Sequence, residues 1–192
     1  RSGLPNARTA VFLITDTTTV PLTLQQLLRD APEVSVLAAL DGVTDVGNVG
    51  AIIRSALLLG IDGVLLPSRR AARPGPDMLR ASAGAAAIVP IASVPGLDRA
   101  ILDCQEVGYW VMVADAAGAP VAPAQLPPRV LLVLGSEGSG ASRLVRERAD
   151  ELVSVPMPGH ARAAAAGIDS LNVSVSAGIL FHALSQRPAT RS

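Results

Sequence analysis

The sequence predicts an α/β domain built on a mainly parallel sheet with helices on both faces, and three of its features carry that prediction. Short apolar runs rich in Val, Ile and Leu alternate with segments of helical pattern along the whole chain. One of the runs, VSVLAAL (34–40), looks like a buried strand. Gly60 and Gly108 stand where a helix ends and a strand follows.

The elements follow in order. VFLI (11–14) is the first run of strand type, and residues 22–30 carry a helical pattern. VSVLAAL (34–40) reads as a buried strand and 49–59 as an apolar helix that closes at Gly60. GVLLP (63–67) and AIVPIA (87–92) are strands separated by a helix over 76–84. A helix over 96–106 ends at Gly108, ahead of the strand YWVMVA (109–114). Residues 115–129 are rich in Pro and Ala and are expected to be a loop leading to the strand VLLVLG (130–135). A helix over 140–149, the strand LVSVP (152–156), a Gly/Ala-rich loop over 157–169 and a helix over 170–185 complete the chain. That last loop is long enough to suspect a function.

Composition narrows the function classes. At 192 residues, with 49% hydrophobic and 17% charged residues, the chain suits one compact domain and not a disordered one. No apolar run approaches the roughly 18–20 residues of a membrane span, and no signal-peptide pattern opens the chain. A soluble protein is expected. The single cysteine, Cys104, excludes an internal disulfide and fits a reducing cytoplasm. His160 and His182 lie far apart in sequence from each other and from Cys104, so no metal site is expected. Sixteen arginines balance sixteen acids. Any attraction to nucleic acid must therefore come from a local patch or from a further segment.

Three strand-to-helix junctions hold the candidate chemistry. The stretch DGVTDVGNVGAIIRSALLLG (41–60) places Arg54 inside an otherwise apolar helical pattern, so it is either a solvated outer-face residue or turned towards a polar site. GSEGSG (135–140) lies between a strand and a helix, the usual place for a nucleotide in an α/β sheet. Its glycine spacing is neither that of a dinucleotide loop nor that of a P-loop, which removes the kinase, NTPase and NAD readings. A plain structural turn remains an alternative. VPMPG (155–159) and DSLNVSVSAG (169–178) form the third junction, where Ser170 and Asn172 also suit helix capping. No hydrolase triad or acid/base carboxylate pair is legible.

Together and in this order, DGVTDVGNVGAIIRSA, LVLGSEGSG and VPMPG with SLNVSVSAG resemble the three signature motifs of the SpoU/TrmH family of SPOUT-class RNA ribose 2′-O-methyltransferases. The resemblance extends from about residue 34 to 185, and RRAARPGPDMLRASAGAA (69–86) is similar to the variant in bacterial 23S rRNA guanosine methyltransferases. It implies a deep trefoil knot at the C-terminal side of the sheet. It implies S-adenosylmethionine as cofactor, held around Leu134, Gly135, Gly138, Val155, Met157 and Leu171. Glu137 and Asn172 would line the catalytic side, Arg54 would face the crevice at the strand ends and act on the ribose 2′-OH, and Asn48 and Ser170 would lie beside it.

One departure stands out: HARAAAAGID intervenes where the family brings SLN close behind the PM dipeptide. The family account often makes the arginine a base, yet a guanidinium with a pKa above roughly 12 does not ordinarily deprotonate in proteins. A charged Arg54 that clamps phosphate and stabilises oxyanion character is the better expectation, with phosphate or water taking the proton. Arg69, Arg70, Arg73 and Arg80 are the candidate RNA-backbone patch. The resemblance also implies a homodimer, with the final apolar helix as a candidate contact surface. The expected substrate is a guanosine of large-subunit rRNA; tRNA, an antibiotic-resistance site on rRNA, or a non-catalytic knot protein are the alternatives. Residues 1–30 are expected to be a connecting segment after an N-terminal RNA-binding domain, and residues 31–192 the methyltransferase domain.

Overall fold

The computed structural model describes residues 21–187 apart from residues 70, 71 and 73. The expected strand at 11–14 lies outside them. The six strands are β1 (Ser35–Asp41), β2 (Gly63–Pro67), β3 (Ile91–Val94), β4 (Trp110–Pro120), β5 (Arg129–Gly135) and β6 (Glu151–Ser154). They form one sheet in the order β3-β2-β1-β5-β4-β6, and every pairing is parallel. The helices are α1 (Leu24–Asp30), α2 (Val46–Leu58), α3 (Pro76–Ala81), α4 (Leu97–Glu106), α5 (Arg143–Glu147), α6 (His160–Ala164) and α7 (Val173–Ser185).

Both sheet faces are covered, which is why the central strands are apolar throughout. In β1, Val36, Ala38 and Leu40 enter a core shared with α2, α3 and α7, while Leu37 and Ala39 enter a second core shared with α1 and α4. Val145 of α5 joins that second core. Cys104 is fully buried there, and burial pushes its thiol up to about 12, so it is a packing residue rather than a nucleophile. Gly60 and Gly108 have φ of +73° and +88°, the left-handed conformation that ends a helix.

Three expectations are corrected. β3 begins at Ile91, not residue 87, because Ala85–Ala87 form a 3₁₀ turn, Ile88 is exposed and Pro90 brings no N–H to a ladder. The anticipated loop after residue 114 starts instead as strand, since β4 runs to Pro120. Both Ala114 and Ala119 register with Val153, so the residues between them bulge. Finally, the stretch expected as loop over 157–169 contains α6, whose HARAA sequence favours helix through its alanines.

The register that matters most is between β1 and β5. They pair along their full length and end together, with Asp41 opposite Gly135, so the first two motifs leave the sheet side by side.

Candidate active site

The C-terminal ends of β5 and β6 and the bulge of β4 open into a cavity of about 470 Å³. Leu134, Val153, Val155, Met157, Leu171 and Leu180 give it apolar walls. The turn 135–140 forms one rim. A Cβ at Gly135 would lie 2.1 Å from the backbone of Gly140 and Ala141, so only glycine lets the turn fold this tightly against β5. Gly138 and Gly140 adopt φ of +82° and +67° within it. All six residues expected to hold a cofactor, Leu134, Gly135, Gly138, Val155, Met157 and Leu171, line this one cavity.

The polar side of the rim is a network centred on Glu137. Its Oε1 accepts hydrogen bonds from Asn172 Nδ2 at 2.6 Å, the Val173 N–H at 3.1 Å and Asn48 Nδ2 at 3.4 Å. Asn172 Nδ2 also donates to Asn48 Oδ1 at 2.9 Å. The helix caps aim these side chains. Asp45 caps α2 by accepting the Asn48 N–H at 2.7 Å, and Asn172 caps α7 by accepting the Ser174 N–H at 2.9 Å. Asn172 is thus both a cap and a partner of Glu137, because its carbonyl oxygen serves the helix and its amide serves the carboxylate. Among the described residues, Glu137 Oε2 has no protein partner. Ser170 lines the cavity and donates to Asp169 at 3.3 Å.

Arg54 lies elsewhere. The buried residues of α2 are Val49, Gly50, Ile52, Ile53 and Ala56, which leaves Arg54 on the opposite, exposed face with Leu58 one turn on. It is not among the cavity walls and has no ion-pair partner among the described residues. Leu58 is 73% exposed, and on the adjoining helix α7 Val175 and Ile179 are 49% and 42% exposed. Arg54 therefore belongs to an apolar outer face rather than to the crevice. Of the arginine patch, Arg80 is exposed and paired with Asp77, while Arg69 is exposed and unpaired among the described residues. Arg70 and Arg73 lie outside the described residues.

Sequence reasoning missed three cavity groups. Asp115 stands in the β4 bulge and is held by Arg146 at 3.2 Å, with its carboxylate 13% exposed. A carboxylate at a strand end after YWVMVA was a signal of the same kind as Glu137. His160 and Asp169 also line the cavity and come from the inserted stretch. No group of three or more potential metal ligands occurs among the described residues. No helix among them is long and apolar enough to cross a membrane.

Known proteins resemble the chain in sequence and in fold. Residues 35–182 match the profile of the SpoU rRNA Methylase family. The 23S rRNA (guanosine-2′-O-)-methyltransferase RlmB of Xanthomonas campestris pv. campestris is 40% identical over 166 residues, covering 85% of this chain and 64% of that protein. The chain thus spans a little under two thirds of the length of that relative. The crystal structure of the SpoU methyltransferase AviRb from Streptomyces viridochromogenes superposes with a TM-score of 0.74 at 27% identity, over 87% of this chain and 64% of that one. Its complex with the cofactor AdoMet superposes with a TM-score of 0.68 at 26% identity, over 81% and 58%. With three motifs meeting at the strand ends and a family profile spanning most of its length, the chain belongs to the SpoU rRNA methylase family.

Proposed function

We propose that the chain carries the methyltransferase domain of an S-adenosylmethionine-dependent RNA ribose 2′-O-methyltransferase, acting on a guanosine of 23S rRNA in the cytoplasm as a homodimer. One observation carries the reading: a single carboxylate oxygen of Glu137 collects Asn48 from the first motif and Asn172 and Val173 from the third at the rim of one strand-end cavity. The guanosine and the rRNA rest on the 40% identity to a relative of that name.

The cavity suits the cofactor by its chemistry. Apolar walls suit an adenine ring, backbone groups around Leu134 and Gly135 suit its polar edge, and Asp115, Glu137 and Asp169 suit a ligand with a cationic sulfonium and ammonium. Bound there, the cofactor would supply a methyl group for in-line attack by an alcohol oxygen. Gly138, Val155, Met157 and Leu171 would shape the pocket around it, and Asn48 and Asn172 would fix Glu137 so that Oε2 points to the ligand. Ser170 stands beside them.

Arg54 keeps its charge, clamps an RNA phosphate and stabilises developing charge on the 2′ oxygen. Its place on an outer face with Leu58, beside Val175 and Ile179 of α7, supports a dimer in which a second copy covers this face and the site is completed at the interface. The knotted threading at the C-terminal side of the sheet rests on membership of the SpoU family. Arg69, Arg70, Arg73 and Arg80 would hold RNA backbone.

The test is methyl transfer to unmodified 23S rRNA, run beside calorimetry with S-adenosylhomocysteine. Arg54→Ala should reduce transfer by orders of magnitude and leave the calorimetric affinity within a few-fold. Arg54→Lys should fail too, because a point charge does not reproduce a bidentate clamp. Full transfer by either variant contradicts the role.

A further inference from the structure

A second cavity, of about 490 Å³, lies at the C-terminal ends of β1 and β2 and against the turn between β3 and α4. Ser136, Ser139 and Gly140 line both this cavity and the cofactor-sized one, so the 135–140 turn is a wall common to the two. Its charged groups are Arg69, Arg143 and Asp41. Asp41 is already committed, accepting the Ser142 N–H at 2.6 Å, an arrangement that ties the end of β1 to the start of α5. Ser136 and Ser139 share a hydrogen bond of 2.6 Å and present hydroxyls that can turn to an anion. Arg69 has no ion-pair partner among the described residues, and Arg143 is held only by Glu147, in a pair exposed on both sides that exchanges readily for a better acceptor.

We propose that this second cavity is a phosphodiester subsite for the RNA, in which Arg69 and Arg143 close on the backbone phosphate beside the acceptor nucleotide. The proposal rests on the methyltransferase reading and adds to it a place for the strand. Because the turn is a wall of both cavities, a strand whose acceptor ribose crosses its rim to the first cavity would leave the phosphate bonded to that ribose in the second, where Arg69 and Arg143 are. In a chain of zero net charge, such paired arginines are where RNA backbone can be held locally. Arg143 joins the site through the fold, since Asp41 opposite Gly135 brings the start of α5 to the end of β1.

The test is binding of a fluorescent single-stranded RNA 12-mer containing guanosine, followed by anisotropy across a salt series. The proteins are the full chain, Arg69→Gln, Arg143→Gln and the double variant, with Arg29→Gln on α1 as a charge-matched control. The double variant should reduce the salt slope by about 0.7, the value of one phosphate on a single strand, each single cavity variant by a part of that, and the control by nothing. S-adenosylhomocysteine affinity should be unchanged in all four variants, which shows that they are folded. Slopes in the cavity variants equal to that of the control overturn the subsite. Inorganic phosphate bound in an Arg143-dependent way while the RNA slope stays unchanged makes this a free-anion site and also overturns the assignment. Absence of S-adenosylhomocysteine binding by the unmodified chain defeats the methyltransferase reading, and the salt slopes still decide the arginine pair.

Discussion

The two ends of the sheet use the same kinds of side chain differently. At the N-terminal ends the carboxylates are consumed inside the protein. Asp62, just before β2, accepts the Val36 N–H of β1 at 2.8 Å, and Asp150, just before β6, accepts the Val111 N–H of β4 at 2.8 Å. Ser35 and Tyr109 share a buried hydrogen bond, and Arg129 stands over the Tyr109 ring at 5.7 Å while donating to the Val107 carbonyl at 2.9 Å. At the C-terminal ends, Glu137 keeps one oxygen open and Arg69 has no carboxylate partner among the described residues. Polar groups with every partner inside the protein hold strands in register, and those with spare capacity at the C-terminal ends are free to meet a ligand.

The sharpest way to break this comparison is Gly135→Ala. Two backbone neighbours at 2.1 Å cannot yield as a side chain can, so the turn must leave its place. Calorimetry should show S-adenosylhomocysteine affinity falling about 100-fold or more, as for a site displaced by about 1 Å. Glu137→Ala comes next. It leaves the Val173 N–H without its acceptor and the Asn172 amide with Asn48 alone, and thermal unfolding should show a loss of about 1–3 kcal/mol alongside loss of methyl transfer. At the opposite end, Asp150→Ala removes the acceptor for Val111 and for Gln105 Nε2, and should cost a similar ~1–2 kcal/mol with cofactor affinity unchanged. If Asp150→Ala weakened binding as much as Glu137→Ala did, the division between a structural and a functional end would be lost.

How much of this the sequence disclosed depends on how local the signal was. β1, β2 and β5 were legible because each is a continuous apolar run closed by a glycine, a proline or an acid, and α2, α4 and α7 because their patterns are long. The last strand-to-helix junction was less so. Residues 115–120 are mostly Ala, Gly and Pro, a composition that disfavours strand, and they are extended only because β6 lies alongside. α6 was hidden in the same way by a Gly/Ala-rich stretch.

The site divides along the same line. Gly135, Glu137, Met157 and Leu171 sit in motifs and could be named as candidates that line the cavity; Asp115, His160 and Arg143 reach their cavities only through the register of the sheet and the fold of the inserted stretch. Arg54 marks the limit of reading a motif without its helix. The buried positions of α2, Val49, Ile52, Ile53 and Ala56, turn residue 54 outward, and a helical projection of 46–58 already contains that fact.

The account's central claim is that the cavity between the 135–140 turn and α7 takes S-adenosylmethionine. Isothermal titration of the chain with S-adenosylhomocysteine, with NAD and ATP as controls, tests it most directly. Saturable binding of one S-adenosylhomocysteine per chain, weakened about 100-fold or more by Gly135→Ala and not reproduced by NAD or ATP, is the predicted result; tight NAD binding without S-adenosylhomocysteine binding would contradict it.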